Sequence, residues 1–263
     1  MIKDAIEQGC RKFIVGIGGS ATNDGGVGML QALGFHFLNQ EGNEIQLGAI
    51  GLKDIDRIDV QNVDPRLKEC SFYVASDVNN PLCGENGASY IYGPQKGATQ
   101  EMVLNMDEWM QKYANITKKY YPNADETCQG CGAAGGMGFA FHTFLNAELK
   151  SGIDIVLDEL KFDEIIKDAD LIVTGEGRMD HQTSMGKAPI GVARHAKKYG
   201  IPVIAFAGCV GNAYACNEHG IDAYFSVLQK VTTLQESMDT NNAYQNVKDT
   251  AEQAIRLIKA VNR

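Results

Sequence analysis

The part of this 263-residue sequence richest in chemical groups is Thr174-Gly175-Glu176-Gly177-Arg178-Met179-Asp180-His181-Gln182-Thr183-Ser184-Met185-Gly186-Lys187-Ala188-Pro189. It gathers carboxylates, cations and hydroxyls between an apolar run and the start of a helix. Moving a phosphoryl group calls for such a set: a cation to offset migrating charge, an acid for a metal or a proton, and a cradle of donors. The stretch is not a P-loop, because Lys187 is followed by Ala188 and no glycine stands five residues before Gly186.

Three further loops carry similar material. The first, Gly16-Ile17-Gly18-Gly19-Ser20-Ala21-Thr22-Asn23-Asp24-Gly25-Gly26, follows an apolar run. Its successive N–H groups suit an anion, and Asp24 suits a metal or a ligand hydroxyl. Gly16, Gly18 and Ala21 also fit the G-x-G-x-x-A dinucleotide fingerprint, with Glu41 at roughly the expected distance, so a nicotinamide-dependent oxidoreductase is one alternative. The polar insert from Thr22 to Gly26 has no place in that fingerprint. The second loop, Asp77-Val78-Asn79-Asn80-Pro81, sets a carboxylate and two amides at the end of a strand, where they would hold a metal or a polyol. The third, residues 130–138, puts Gly135 and Gly136 at a helix start, where an anion can reach unpaired N–H groups. Cys128 and Cys131 form a C-x-x-C read as ordinary thiols, since no second ligand pair with zinc spacing accompanies it. Of five histidines only His181 falls in a candidate loop, and no G-x-S-x-G elbow is present.

The elements that must position these loops alternate strand, loop and helix. Strands are expected at residues 13–17, 35–38, 72–75, 171–174, 203–207 and 224–228, and a helix ends within 2–12. Further helices are expected at 29–33, 103–119, 139–149, 189–199 and 242–262, with Gly200 as a stop. Val103, Met106, Met110, Tyr113 and Ile116 recur every three to four residues, the mark of an amphipathic helix. Such alternation predicts an α/β fold of parallel βαβ units with ligands at the carboxyl ends of the strands. From about Asp170 onward only about three strands are expected. With 44% apolar residues, 29 glycines and 6 prolines, the chain supports real cores joined by tight turns. The formal net charge of −9 excludes an electrostatic footprint for nucleic acid or an anionic membrane surface. Any anionic ligand must then be met by backbone N–H groups, a few lysines or arginines, or a metal ion. No apolar run is long enough to span a bilayer, and seven scattered cysteines point to reduced thiols in the cytoplasm. The sequence leaves self-association into a homo-oligomer open.

At these four loops the sequence resembles the glycerate kinase family, specifically its bacterial type-1 glycerate 2-kinase group. The resemblance rests on the run from Gly16 to Gly34, on Ala75-Ser76-Asp77-Val78-Asn79-Asn80-Pro81-Leu82 with Gly93-Pro94-Gln95-Lys96-Gly97, and on residues 130–138 and 175–192. It implies an ATP-dependent kinase that turns glycerate into a phosphoglycerate with Mg2+. It also implies two α/β domains: an inserted one over residues 1–168, and part of a flavodoxin-like, doubly wound parallel sheet over 169–263. Within the matched motifs, Asp180 is the first choice as base and Asp77 the second, while Arg178 and Lys187 offset charge. Asp24 and Glu176 are the metal candidates. Gly19, Ser20, Thr22, Asn23, Asp24, Asn79, Asn80, Gly135, Gly136, Gly177 and Thr183 are the binding candidates. The family also carries an N-terminal Asp-Ser-Phe-Lys-Gly stretch that is absent here. The resemblance therefore implies a flavodoxin-like domain short of strands, and a truncated product, a fragment or one piece of a split enzyme. An inactive remnant that binds a ligand or partner through an exposed sheet edge is the other alternative.

Overall fold

The computed structural model describes residues 1–261. The chain forms two compact units, Met1–Ile155 and Val156–Arg263. The end of the expected closing helix, Asn262, lies outside the described residues.

In the first unit the elements run α1 (Ile2–Glu7), β1 (Lys12–Gly16), α2 (Val27–Ala32), β2 (His36–Leu38), β3 (Arg57–Asp59), β4 (Ser71–Ala75), α3 (Ala88–Tyr92), α4 (Gln100–Tyr120), α5 (Ala133–Leu145) and β5 (Glu148–Lys150). Strands β1, β4 and β5 form a parallel sheet in that order, and β2 and β3 make a separate antiparallel pair. Register aligns Gly16 with Ala75 and Ala75 with Lys150, so the carboxyl ends of all three strands share one edge. The first and second loops leave the sheet there.

Helix α4 buries the stripe read from the sequence: Val103, Met106, Met110, Tyr113 and Ile116 all face the interior. It begins earlier than expected because the Thr99 hydroxyl accepts the Met102 N–H and caps it. Tyr113 is fully buried in a ring cluster with Phe37, Phe139 and Phe144. The third loop departs from its expected form. Ala134, Gly135 and Gly136 take three successive left-handed conformations inside the span of α5, so the turn is wound rather than open. The helix stops at Leu145, with Asn146 left-handed at φ 51°, and the chain then adds β5 where helix was expected.

The second unit contains α7 (Phe162–Ile166), β6 (Ile172–Met179), α8 (His181–Ser184), α9 (Ala188–Lys197), β7 (Val203–Val210), α10 (Tyr214–Glu218), β8 (Ala223–Ser226), α11 (Leu234–Met238) and α12 (Thr240–Val261), and α6 (Gly152–Glu159) carries the division between the units. Its three strands are parallel in the order β6-β7-β8, as expected in number. Ile190, Ala193 and Ala196 of α9 share one core with Val203, Ala205 and Ala207 of β7. The contacts divide the chain earlier than the expected 168/169 boundary. The reason is packing: Phe162 and Ile166 of α7 join the second core, and Asp163 pairs with His195 of α9 and with Lys198 just after it.

The largest departure is at Gly175-Glu176-Gly177-Arg178, expected as a loop. It is strand: β6 continues to Met179, pairing Gly175 with Phe206, Glu176 with Ala207 and Arg178 with Cys209. Gly175 permits this close approach, since a Cβ there would fall 2.4 Å from the Phe206 carbonyl oxygen.

Glycines that pack should respond differently from glycines that only turn. A Cβ on Gly136 (φ 93°) would stand 2.6 Å from the Gly25 Cα, whereas Gly200 (φ 70°) has open space around it. Gly136→Ala is expected to cost about 3 kcal/mol and Gly200→Ala about 1 kcal/mol, measured by urea unfolding.

Candidate functional site

In the first unit, residues 17–26 form a long loop between β1 and α2. Asp24 is buried beneath it, and its carboxylate is engaged: Oδ1 accepts the Gly26 N–H at 3.0 Å and Oδ2 accepts the Gly28 N–H at 3.1 Å. The structure thus gives Asp24 the work of tying the loop to the start of α2. Neither oxygen is left wholly to a metal. Asn23 donates through Nδ2 to the Ser89 hydroxyl at 3.0 Å. The third loop lies directly against the first. The Gly25 N–H donates to the Gly135 carbonyl at 2.9 Å, and a Cβ on Gly135 would fall 2.1 Å from the Thr22 carbonyl oxygen. Gly135 and Gly136 are both buried, so their glycine character serves this close approach rather than an open anion cradle.

The second loop leaves β4 beside the first. Asp77 is exposed and accepts the Gly152 N–H through Oδ1 at 3.0 Å. Asn80 is committed to structure: it donates to the Asn86 carbonyl, accepts the Tyr92 hydroxyl at 2.5 Å and accepts the Gly132 N–H on its own carbonyl. Asn79 is exposed.

Between the two loops lies a cleft of 410 Å³, lined among others by Gly18, Gly19, Ser20, Asp77 and Lys96. It stands where parallel strands end, the usual ligand position in such sheets. A neighbouring pocket of 310 Å³ includes Thr22, Asn23, Asp24 and again Lys96. Lys96 is the residue that site-by-site reading missed. Its motif, Gly93-Pro94-Gln95-Lys96-Gly97, was visible, but the direction of its side chain is set by a 3-10 turn (Pro94–Lys96) that the sequence does not announce. The ammonium donates to the Ser20 hydroxyl at 3.0 Å and the Thr22 carbonyl at 2.6 Å. Burial lowers its pKa, and the Asp24 carboxylate opposes that shift. A cleft of 740 Å³ along α4 contains none of the nominated residues.

The second unit holds the fourth loop's groups at the carboxyl end of β6. Glu176 and Arg178 are two apart on the strand and so share a face. Asp180 caps α8, accepting the Gln182 N–H through Oδ1 at 3.0 Å, while Oδ2 pairs with Arg178 Nε at 3.2 Å. Thr183, fully buried, ties the Asp180 backbone to the Glu176 carboxylate: its hydroxyl accepts the Asp180 N–H and donates to Glu176 Oε1. Lys187 precedes α9, with Nζ 3.5 Å from Gln182 Oε1. Gly177 is exposed on β6, its carbonyl close to Gly208 of β7. The thiol of Cys216, buried behind Asp180, is pushed upward in pKa by burial first and then by the Glu176 and Asp180 carboxylates.

Thus the structure brings Gly19, Ser20, Asp77 and Lys96 together in one unit, and Glu176, Arg178, Asp180, Thr183 and Lys187 in the other. Among the described residues no group of three or more His, Cys, Asp or Glu is placed to hold a metal ion, and all seven cysteines are free thiols. No helix among them is long and apolar enough to cross a membrane. The dinucleotide fingerprint fails on geometry. The chain does not enter a helix after Ala21 but only at Val27, and β2, the strand before Glu41, pairs with β3 outside the parallel sheet.

The sequence model of the glycerate kinase family matches residues 1–259. A glycerate kinase of Halalkalibacterium halodurans is 46% identical over 100% of this chain and 68% of its own length. The glycerate 2-kinase of Escherichia coli K12 is 50% identical over 94% of this chain and 65% of its own. A crystal structure from Salmonella typhimurium LT2, described as a candidate glycerate kinase 2, superposes with a TM-score of 0.83. It is 45% identical and covers 99% of this chain and 68% of that one. The chain therefore spans about two thirds of the length of the relatives it matches.

Asp180 has a structural duty that must be separated from any chemical one. Asp180→Ala is expected to destabilise the protein by about 1 kcal/mol through the lost cap, and Asp180→Asn by little, because asparagine caps equally well. Thermal or urea unfolding of the two variants reads the difference.

Proposed function

Since this chain belongs to the glycerate kinase family, we propose that it transfers the γ-phosphoryl group of ATP to the 2-hydroxyl of glycerate. The products are ADP and 2-phosphoglycerate. The observation that carries this reading is the match over residues 1–259, which spans all four loops. The choice of the 2-hydroxyl is supported by the relative named as a glycerate 2-kinase.

Asp180 takes the hydroxyl proton as the oxygen attacks phosphorus, with Asp77 the second candidate. The bond to Arg178 holds the Asp180 carboxylate in place. The Arg178 side chain is mostly exposed, so its remaining donors are open to an anionic substrate. Lys187 offsets phosphate charge ahead of α9. Magnesium comes with the nucleotide and lowers the charge of its phosphates. Glu176 suits that ion better than Asp24, because one Glu176 oxygen lies outside the bond to Thr183 whereas both Asp24 oxygens meet backbone N–H groups. An acidic chain whose thiols are all free suits the cytoplasm.

The test is ADP release that depends on both ATP and glycerate, with the product identified by phosphorus NMR. Release independent of glycerate would overturn the reading, as would thermal stabilisation by NAD in place of ATP. Asp180→Asn is expected to lower kcat about a thousandfold with its unfolding midpoint nearly unchanged. Near-normal turnover in that variant would pass the base to Asp77.

A further inference from the structure

We propose that the 410 Å³ cleft of the first unit receives the anionic end of the substrate, and that Lys96 is the residue that binds it. This rests on the phosphotransfer reading for the choice of ligands, but its geometry stands by itself. In a chain of net charge −9, an anion needs a local cation. Among the residues lining this cleft Lys96 is the only lysine or arginine, and the same is true of the neighbouring 310 Å³ pocket. Its ammonium has three N–H donors, of which the Ser20 hydroxyl and the Thr22 carbonyl take two. Those bonds hold the head group at the wall shared by both cavities and leave one donor for a ligand oxygen. Gly18 and Gly19 line the same cleft, and Gly19 is left-handed at φ 67° with open space where a side chain would stand, so a ligand can approach the backbone closely.

The chemistry recognised is a small oxyanion. Two sources fit, the carboxylate of the hydroxy acid and a phosphate of the nucleotide, and the carboxylate matches a cleft whose other charged group is a single aspartate, Asp77.

Steady-state kinetics of Lys96→Ala and Lys96→Arg separate these sources. Loss of one charge-assisted hydrogen bond is expected to raise the affected KM by about tenfold or more in Lys96→Ala. A rise confined to the glycerate KM assigns the carboxylate, and a rise confined to the ATP KM assigns a phosphate. Lys96→Arg keeps the charge and is expected to recover most of the affinity, which a residue that merely tied down the loop would not require. Both KM values within about twofold of the wild type in Lys96→Ala would overturn the inference.

If the wild type shows no turnover, calorimetric titration with glycerate and with inorganic phosphate replaces the kinetics. Binding by the wild type that is lost in Lys96→Ala and recovered in Lys96→Arg supports the assignment even though the kinase reading has failed. No binding of either anion by the wild type overturns it.

Discussion

Two glycine backbones in contact underlie the first unit. The Gly25 N–H reaches the Gly135 carbonyl, and the space around both is too tight for a side chain. A buried backbone donor without a partner is costly, so this bond and the Asp24 bonds to Gly26 and Gly28 together fix the path of a loop that would otherwise be free. Once that path is fixed, Ser20 and the Thr22 carbonyl lie where Lys96 can meet them. The cleft is thus a by-product of how two glycine-rich turns pack at the edge of a parallel sheet.

The second unit solves its positioning problem with a side chain. Thr183 is buried and acts as acceptor and donor at once, so Glu176 on β6 and Asp180 at the start of α8 cannot move independently. Arg178 adds the opposing charge from the same strand. Groups held in this way need little reorganisation when charge moves, which is where an enzyme's electrostatic advantage arises. The strand supplies the rigidity, because β6 runs hydrogen-bonded to β7 as far as Met179.

Much of this was legible in the sequence, and the failures have physical causes. The stripe on α4 and the short apolar strands β4 and β7 announced themselves because burial selects their side chains, whereas β1 is apolar in sequence yet only half-buried at Phe13 and Val15. β5 did not, because Glu148-Leu149-Lys150 has no pattern of its own and is a strand only through pairing with β4. Gly175, Glu176, Gly177 and Arg178 read as loop because glycine and charge are poor strand formers. A neighbouring strand overrode that propensity. At the site, residue types were legible and their duties were not. Aspartate followed by two glycines reads equally as a ligand or as a cap, and only burial with two backbone donors tells that Asp24 caps. Lys96 stood in a recognisable motif, yet its partners are 76 and 74 residues away in sequence.

The left-handed run from Ala134 to Gly136 bears on how the family's history should be read. Backbone shape fixes all three residues there, and crowding adds to it at Gly135 and Gly136, irrespective of any chemistry. Descendants that changed substrate, or lost activity altogether, would still be obliged to keep small residues at those columns. Invariance there would mark the architecture of a turn, whereas change or persistence at exposed positions such as Asp77 and Arg178 would be the better record of chemistry gained or abandoned.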